Sequence, residues 1–302
     1  MTNIDDDFKK KLKKARHPLE IPMTILSVLI TLSIYGLVSY LAIEAATNKE
    51  AVNGLMELLQ IDSKFAELLV KYGGYATMIV VVYMIIHIIY VDRVFIGKSS
   101  NNEVRLVDSK ATEVYDTFLD YAKKLGLKKI PVAYISSSDY ESKILNVHIR
   151  GDNAISINKK LIKEAYAEDD FNLVYFTLAR RLSHIYLGHH NVFLNVFAFA
   201  AQAIPVYNNI LERIRCYSTD KVVACLIGED NTLRGIYDQN YDKNLYDDKK
   251  SFMEIINMKI RKENRGEKVG QFLENLFADK PSPIYRFEAL LNKKRKGGKV
   301  FI

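Results

Sequence analysis

Arg180, Arg181, Leu182, Ser183 and His184 fall within Phe176 to His190, a stretch that reads as one helix. On a helix, positions i and i+4 share a face. A helix with His at both, and Glu beside the first, can therefore hold zinc through two imidazoles and use the carboxylate as base for a zinc-bound water. Here the first-ligand and base positions, Arg180 and Arg181, hold guanidiniums. These have no lone pair for a metal and stay charged at any ordinary pH. His184 is the one ligand left from that pattern.

The surrounding residues carry more than those five. Leu178-Ala179, Leu182-Ser183-His184-Ile185 and Gly188-His189 resemble the active helix of the HtpX-like and CAAX-prenyl-protease-like membrane zinc metallopeptidases, family M forty-eight. That family has a second motif, approximately Arg-x-x-Glu-Tyr-x-Ala-Asp, whose Glu is the third zinc ligand. Arg213-Ile-Arg-Cys216-Tyr217-Ser-Thr-Asp220 stands here, so the resemblance puts Cys216 in the ligand position. A third motif, His-Pro followed by an Arg-hydrophobic pair, is echoed by Lys280-Pro281 and Arg286-Phe287, with Lys280 in place of His. The resemblance covers about Ile130 to Leu291. It retains His184, His189, Arg213, Tyr217, Asp220 and Arg286, and departs at Arg180, Arg181, Cys216 and Lys280.

What it implies is a zincin-like frame with the zinc chemistry removed. A catalytic zinc needs three protein ligands and an open position, whereas only His184 and Cys216 remain to bind any metal, beside two guanidiniums that repel a cation. No metal or other cofactor is expected, although zinc serves the family. Cys216 and His184 should face one another in that frame. A thiol beside an imidazole and two arginines could have a depressed pKa and act as a nucleophile, which keeps a Cys/His hydrolase as a minor alternative. The main alternative is a working membrane metalloendopeptidase with a non-standard site.

The elements that would position these residues can be read from composition and pattern. The chain has 302 residues, 49% of them hydrophobic, which is room for one good-sized domain plus membrane segments. Its net charge of +7 is modest, and no zinc finger, RNP-type aromatic motif or Gly-rich phosphate loop points to nucleic acid. Two cysteines make no secreted disulfide framework. Residues 1–20 carry Lys9, Lys10, Lys11, Lys13, Lys14 and Arg16, and then Ile21 to Ile43 contains no ionisable side chain except tyrosine. At 1.5 Å per residue that run can cross a roughly 30 Å hydrocarbon core, and it is too long for a typical signal-peptide core. Tyr72 to Val91 reads as a second span, with His87 as a bundle-facing hydrogen-bonding residue. Basic flanks at the outer ends of this hairpin place both ends in the cytoplasm.

Beyond the hairpin, Ser109 to Leu125 has helical spacing with a stop at Gly126, and Ile130–Ser136, Ile144–Ile149 and Ala154–Asn158 read as strands. Asp169 or Asp170 is expected to cap the helix from about Phe171 to His190. Asn191 to Leu211 is free of charge, and length alone would let it cross a membrane. Pro205 and its five Asn and Gln residues make it read instead as an apolar helix that packs on the hairpin or dips and returns. A helix from Glu212 to Ile227 carries the second motif and stops at Gly228, and another lies near Ser251 to Arg261. The tail Lys293 to Lys299 reads as a solvated terminus that could hold anionic lipid.

The expected fold is α+β and predominantly α. A basic cytosolic N-terminus spans residues 1–20, a transmembrane hairpin 21–95 and a cytosolic zincin-like domain 96–302. The expected function is a pseudopeptidase with a protein-binding or regulatory role, its partners a lipid bilayer and a protein or peptide. Glu212 and Asp220 flank Cys216 at four-residue spacing, so Arg180 or Arg181 is expected to pair with one of them in place of the lost metal.

Overall fold

The computed structural model describes residues 2–47, 103–136, 144–147, 152–189, 191–240, 277–278 and 280–291, with isolated positions 72, 82 and 86. The second span, His87, the helix near Ser251 and the basic tail fall outside the described residues apart from those isolated positions.

The architecture is mostly helical around one small sheet. Strands β1 (Val104–Arg105), β2 (Val132–Ser136), β3 (Ile144–Val147) and β4 (Asp152–Asn158) form a sheet in the order β1-β2-β4-β3. β2 and β4 are parallel, with Ala133 opposite Ile155, while the two outer pairings are antiparallel. Between β1 and β2 runs α3 (Thr112–Lys124), which buries Val114, Phe118, Tyr121 and Ala122. It stops at Gly126, at a φ of 64° that a side chain with a Cβ resists.

Asn158 ends β4 and caps α4 (Lys159–Glu168), its side chain accepting from the backbone N–H of Lys160 at 2.7 Å. The sequence pattern does not announce this helix, and its presence reassigns Asp169. That residue closes α4 in the left-handed region, with φ 53°, and so does not cap the helix after it. This next helix, α5 (Asn172–Leu187), has Phe171 at its N-cap, and Asp170 accepts from the Asn172 backbone N–H at 3.2 Å. α5 stops short of His190 because Gly188 turns the chain with a φ of 73°. Its buried face, including Val174, Leu178, Ala179 and Leu182, packs into the core with the sheet and α3.

At the N-terminus α1 (Thr2–Ala15) buries Leu12 and Ala15 and exposes Lys9, Lys10, Lys13 and Lys14. α2 (Glu20–Thr47) follows a short break at Pro18, and its Glu20–Leu37 portion is long and apolar enough to cross a membrane. Its polarity is inverted: Glu20, Ser27 and Thr31 are buried, while Ile21, Ile25, Leu29, Leu32 and Leu37 are exposed.

The charge-free stretch Asn191 to Leu211 does not run as one helix. α6 (Val192–Gln202) ends, the chain turns at Ala203–Ile204, and α7 (Pro205–Ile227) starts with proline in its first turn, where the missing N–H costs nothing. Contacts with the N-terminal segment show that the chain doubles back. His189 meets Glu20, the Ala201 backbone N–H meets the Thr31 hydroxyl, Tyr207 meets Ser27 and Met23, and Ser218 meets His17. The partner numbers rise along α6 and fall along α7. Two further helices complete the described residues: α8 (Glu229–Asn240), in a segment whose sequence shows mainly charge, and α9 (Pro283–Leu291).

Candidate functional site

The core-facing side of α5 fixes which residues look outward. Leu178, Ala179, Leu182 and Ser183 are fully buried, which leaves Arg180, Arg181 and His184 half-buried, with Arg180 reaching toward α7 and α8. α7 is unusual for the charge it hides: Arg213, Arg215, Cys216, Tyr217 and Asp220 are all buried. α9 contributes Arg286, which is 3% exposed.

Four separated stretches of sequence meet here. The Arg180 guanidinium donates through Nη2 to the Cys216 Sγ at 3.4 Å and through Nη1 to the Gln239 Oε1 at 2.7 Å. The Cys216 thiol donates to Asp220 Oδ2 at 3.8 Å. Arg286 grips the same carboxylate in a fork, Nε to Oδ2 and Nη2 to Oδ1, both at 2.7 Å. Charge-assisted paired bonds of this kind fix geometry as well as adding energy.

A second chain of contacts begins at His184. Its Nδ1 lies 2.9 Å from Nδ1 of His189, whose Nε2 lies 3.2 Å from Glu20 Oε1. Arg16 holds the same Glu20 oxygen at 3.0 Å and donates to the Leu187 carbonyl at 2.7 Å. With Glu20 ionised, a neutral His189 donates from Nε2 and must accept at Nδ1, so His184 is the donor at its own Nδ1. The foot of α2 is thereby tied to the end of α5.

Environment sets the ionisation of these groups. Burial pushes the Cys216 thiol up from its ordinary value, only partly countered by the Arg286 and Arg180 charges. Burial likewise lowers His189 despite its hydrogen bond to Glu20. For Arg286, burial alone would lower the pKa, but the Asp220 carboxylate overrides it and the guanidinium is held above its usual range.

Two expectations from sequence are corrected. The carboxylates of α7 take arginines other than Arg180 and Arg181. Arg286 occupies both oxygens of Asp220, and Glu212 turns to Arg215 at 2.6 Å, one turn along its own helix. The reason is access: Arg286 comes in from α9 at a fully buried level, whereas Arg180 sits further out, where a neutral amide and a thiol suffice. The expected pairing of Cys216 with His184 gives way in the same manner. Cys216 is held by Arg180 and Asp220, His184 by His189, and a thiol pushed up by burial is the reverse of an activated nucleophile.

Of the other residues singled out, Arg213 is 2% exposed with its Nε donating to the Asn209 carbonyl at 3.2 Å. Lys280 is exposed just ahead of α9. Sequence reasoning missed Gln239, Arg16 and Glu20. The signal for Glu20 was present, since it is the acid at the foot of the apolar run, directly after a basic segment.

Protein groups engage the oxygens and the sulfur here: both Asp220 oxygens are committed to a guanidinium, and the Cys216 thiol lies between two charged partners. Among the described residues no group of three or more His, Cys, Asp and Glu side chains is arranged to hold a metal ion. No protein family, curated protein or solved structure matches this chain.

Proposed function

We propose that this protein is a membrane-anchored, catalytically degenerate relative of the HtpX-like zinc metallopeptidases that binds or regulates a protein or peptide partner instead of cleaving it. The observation that carries this reading is the meeting of Arg180, Cys216, Asp220 and Arg286, one or two from each stretch that resembles a family motif. Convergence of the three stretches is what a shared frame would give, and it supports the resemblance. The buried Arg286–Asp220 pair and the hydrogen bonds of Arg180 tie the helices together, which suits a frame kept for binding. Full-length protein purified in detergent should leave casein intact, with or without added zinc. Cleavage that a chelator stops would overturn the reading in favour of a metalloendopeptidase with a non-standard site.

The anchor is supported by the inverted polarity of α2. A helix that buries Ser27 and Thr31 and exposes Ile25, Leu29 and Leu32 is stable where the surroundings are apolar, since tightly packed small and polar residues join helices in lipid. The exposed lysines of α1 lie just before it and orient it with the N-terminus in the cytoplasm. Reporters fused after Lys110 and after Ile302 should both give cytoplasmic signals. A cytoplasmic signal at Lys110 with an external one at Ile302 would contradict the cytosolic placement of the domain.

A further inference from the structure

The turn between α6 and α7 presents large apolar side chains outward instead of inward. Leu194, Phe197, Phe199 and Ile204 are exposed, and no formal charge occurs from Asn191 to Leu211. This surface is continuous with the apolar outer face of α2, because α6 and α7 pack on the polar stripe of that helix through the Thr31 and Ser27 hydroxyls. Like α2, the stretch turns its largest apolar side chains outward. On its return limb Asn209 is buried, with its amide donating to the Phe277 carbonyl at 2.8 Å.

The contacts with α2 also give a depth. From Glu20, level with His189, to Thr31, level with Ala201, a helix rises about 16 Å. Half of a hydrocarbon core is about 15 Å. We propose that α6 and the first turns of α7 form a re-entrant wedge in the cytoplasmic leaflet beside α2, its turn at Ala203–Pro205 near the bilayer midplane and lipid acyl chains as its partner. Backbone that breaks at such a depth is tolerated where neighbouring protein covers it or the broken groups are bonded nearby. Here the Ala203 N–H bonds to the Phe199 carbonyl and the Ile204 N–H to the Ala201 carbonyl. The wedge rests on the anchored reading of α2. It adds a further entry into the leaflet, by residues that directly join His189 to the second-motif helix.

The chain has no tryptophan, so a single introduced one is a clean probe. Ile204→Trp, with Phe197→Trp as a second position about 6 Å nearer the foot of α2, would be reconstituted as full chains in phosphatidylcholine vesicles. Leu29→Trp on α2 and Val107→Trp, exposed in the sheet domain, are the controls. Ile204→Trp should lose most of its emission to bromines placed deep in the acyl chain and resist acrylamide in the water. Phe197→Trp should respond more to bromines nearer the headgroup. If both tryptophans behave like Val107→Trp while Leu29→Trp is quenched by lipid bromine, the anchor stands and the wedge is wrong. Shielding from both quenchers would mean that protein covers the turn, which also overturns the wedge. Failure of Leu29→Trp itself to respond to lipid bromine would remove the anchor and the wedge together.

Discussion

Asp220→Ala should be among the most destabilising single changes in this protein, with a loss of about 3 to 5 kcal/mol. Arg286 is 3% exposed and has Asp220 as its fork partner, so removing the carboxylate strands a buried guanidinium and also takes the acceptor from the Cys216 thiol. Arg286→Ala strands Asp220 in the same way. Combining the two should cost clearly less than their sum, because the second substitution removes the charge that the first left without a partner. Arg180→Ala, by contrast, removes contacts to a neutral amide and a thiol from a half-buried side chain and should cost about 1 kcal/mol. Denaturant unfolding of the four proteins in one detergent would check this order. Additive Asp220 and Arg286 effects, or an Asp220→Ala loss no greater than that of Arg180→Ala, would mean that the pair does not hold the site together.

The second large effect concerns how α5 is placed rather than what it carries. α8 crosses α5 at Gly235, where an added Cβ would lie 2.3 Å from Phe176 Cγ, far inside contact distance, and Phe176 is itself 1% exposed. The ring has no free space to move into, so Gly235→Val should cost at least the about 1 to 3 kcal/mol typical of overpacking. Phe176→Leu in the same chain should recover part of it. This crossing also brings Gln239 to Arg180, one turn further along each helix, so partial unpacking should loosen that contact as well. Thermal unfolding would sink the idea if Gly235→Val matched wild type, or if the Phe176→Leu change merely added its own cost.

Much of the scaffold is legible in the sequence because its signals are local. The spacing of Val114, Phe118 and Ala122 marks α3, glycines mark the ends of α3 and α7, and Pro205 marks the break in the apolar stretch. α4 and α8 escape such a reading for a physical reason: each buries only a few side chains, Thr232, Gly235 and Ile236 in α8, within a charged sequence whose periodicity is weak. At the site, the sequence locates the positions but not the partners. Asp220 has Arg180, Arg181 and Arg286 as plausible cations, and the choice among them depends on how deeply each side chain arrives, a property of packing between segments 66 residues apart. The Glu20 to His189 contact joins residues 169 apart and lies beyond any pattern in the chain.

We propose that the protein's own charges, not a metal, hold this site together. Zinc content measured by inductively coupled plasma mass spectrometry on full-length protein, purified without chelator, tests it most directly. The expected result is far less than one zinc per chain, together with an unfolding temperature that a chelator leaves unchanged. One tightly bound zinc per chain, with a lower unfolding temperature once it is removed, would show instead that a metal holds the site.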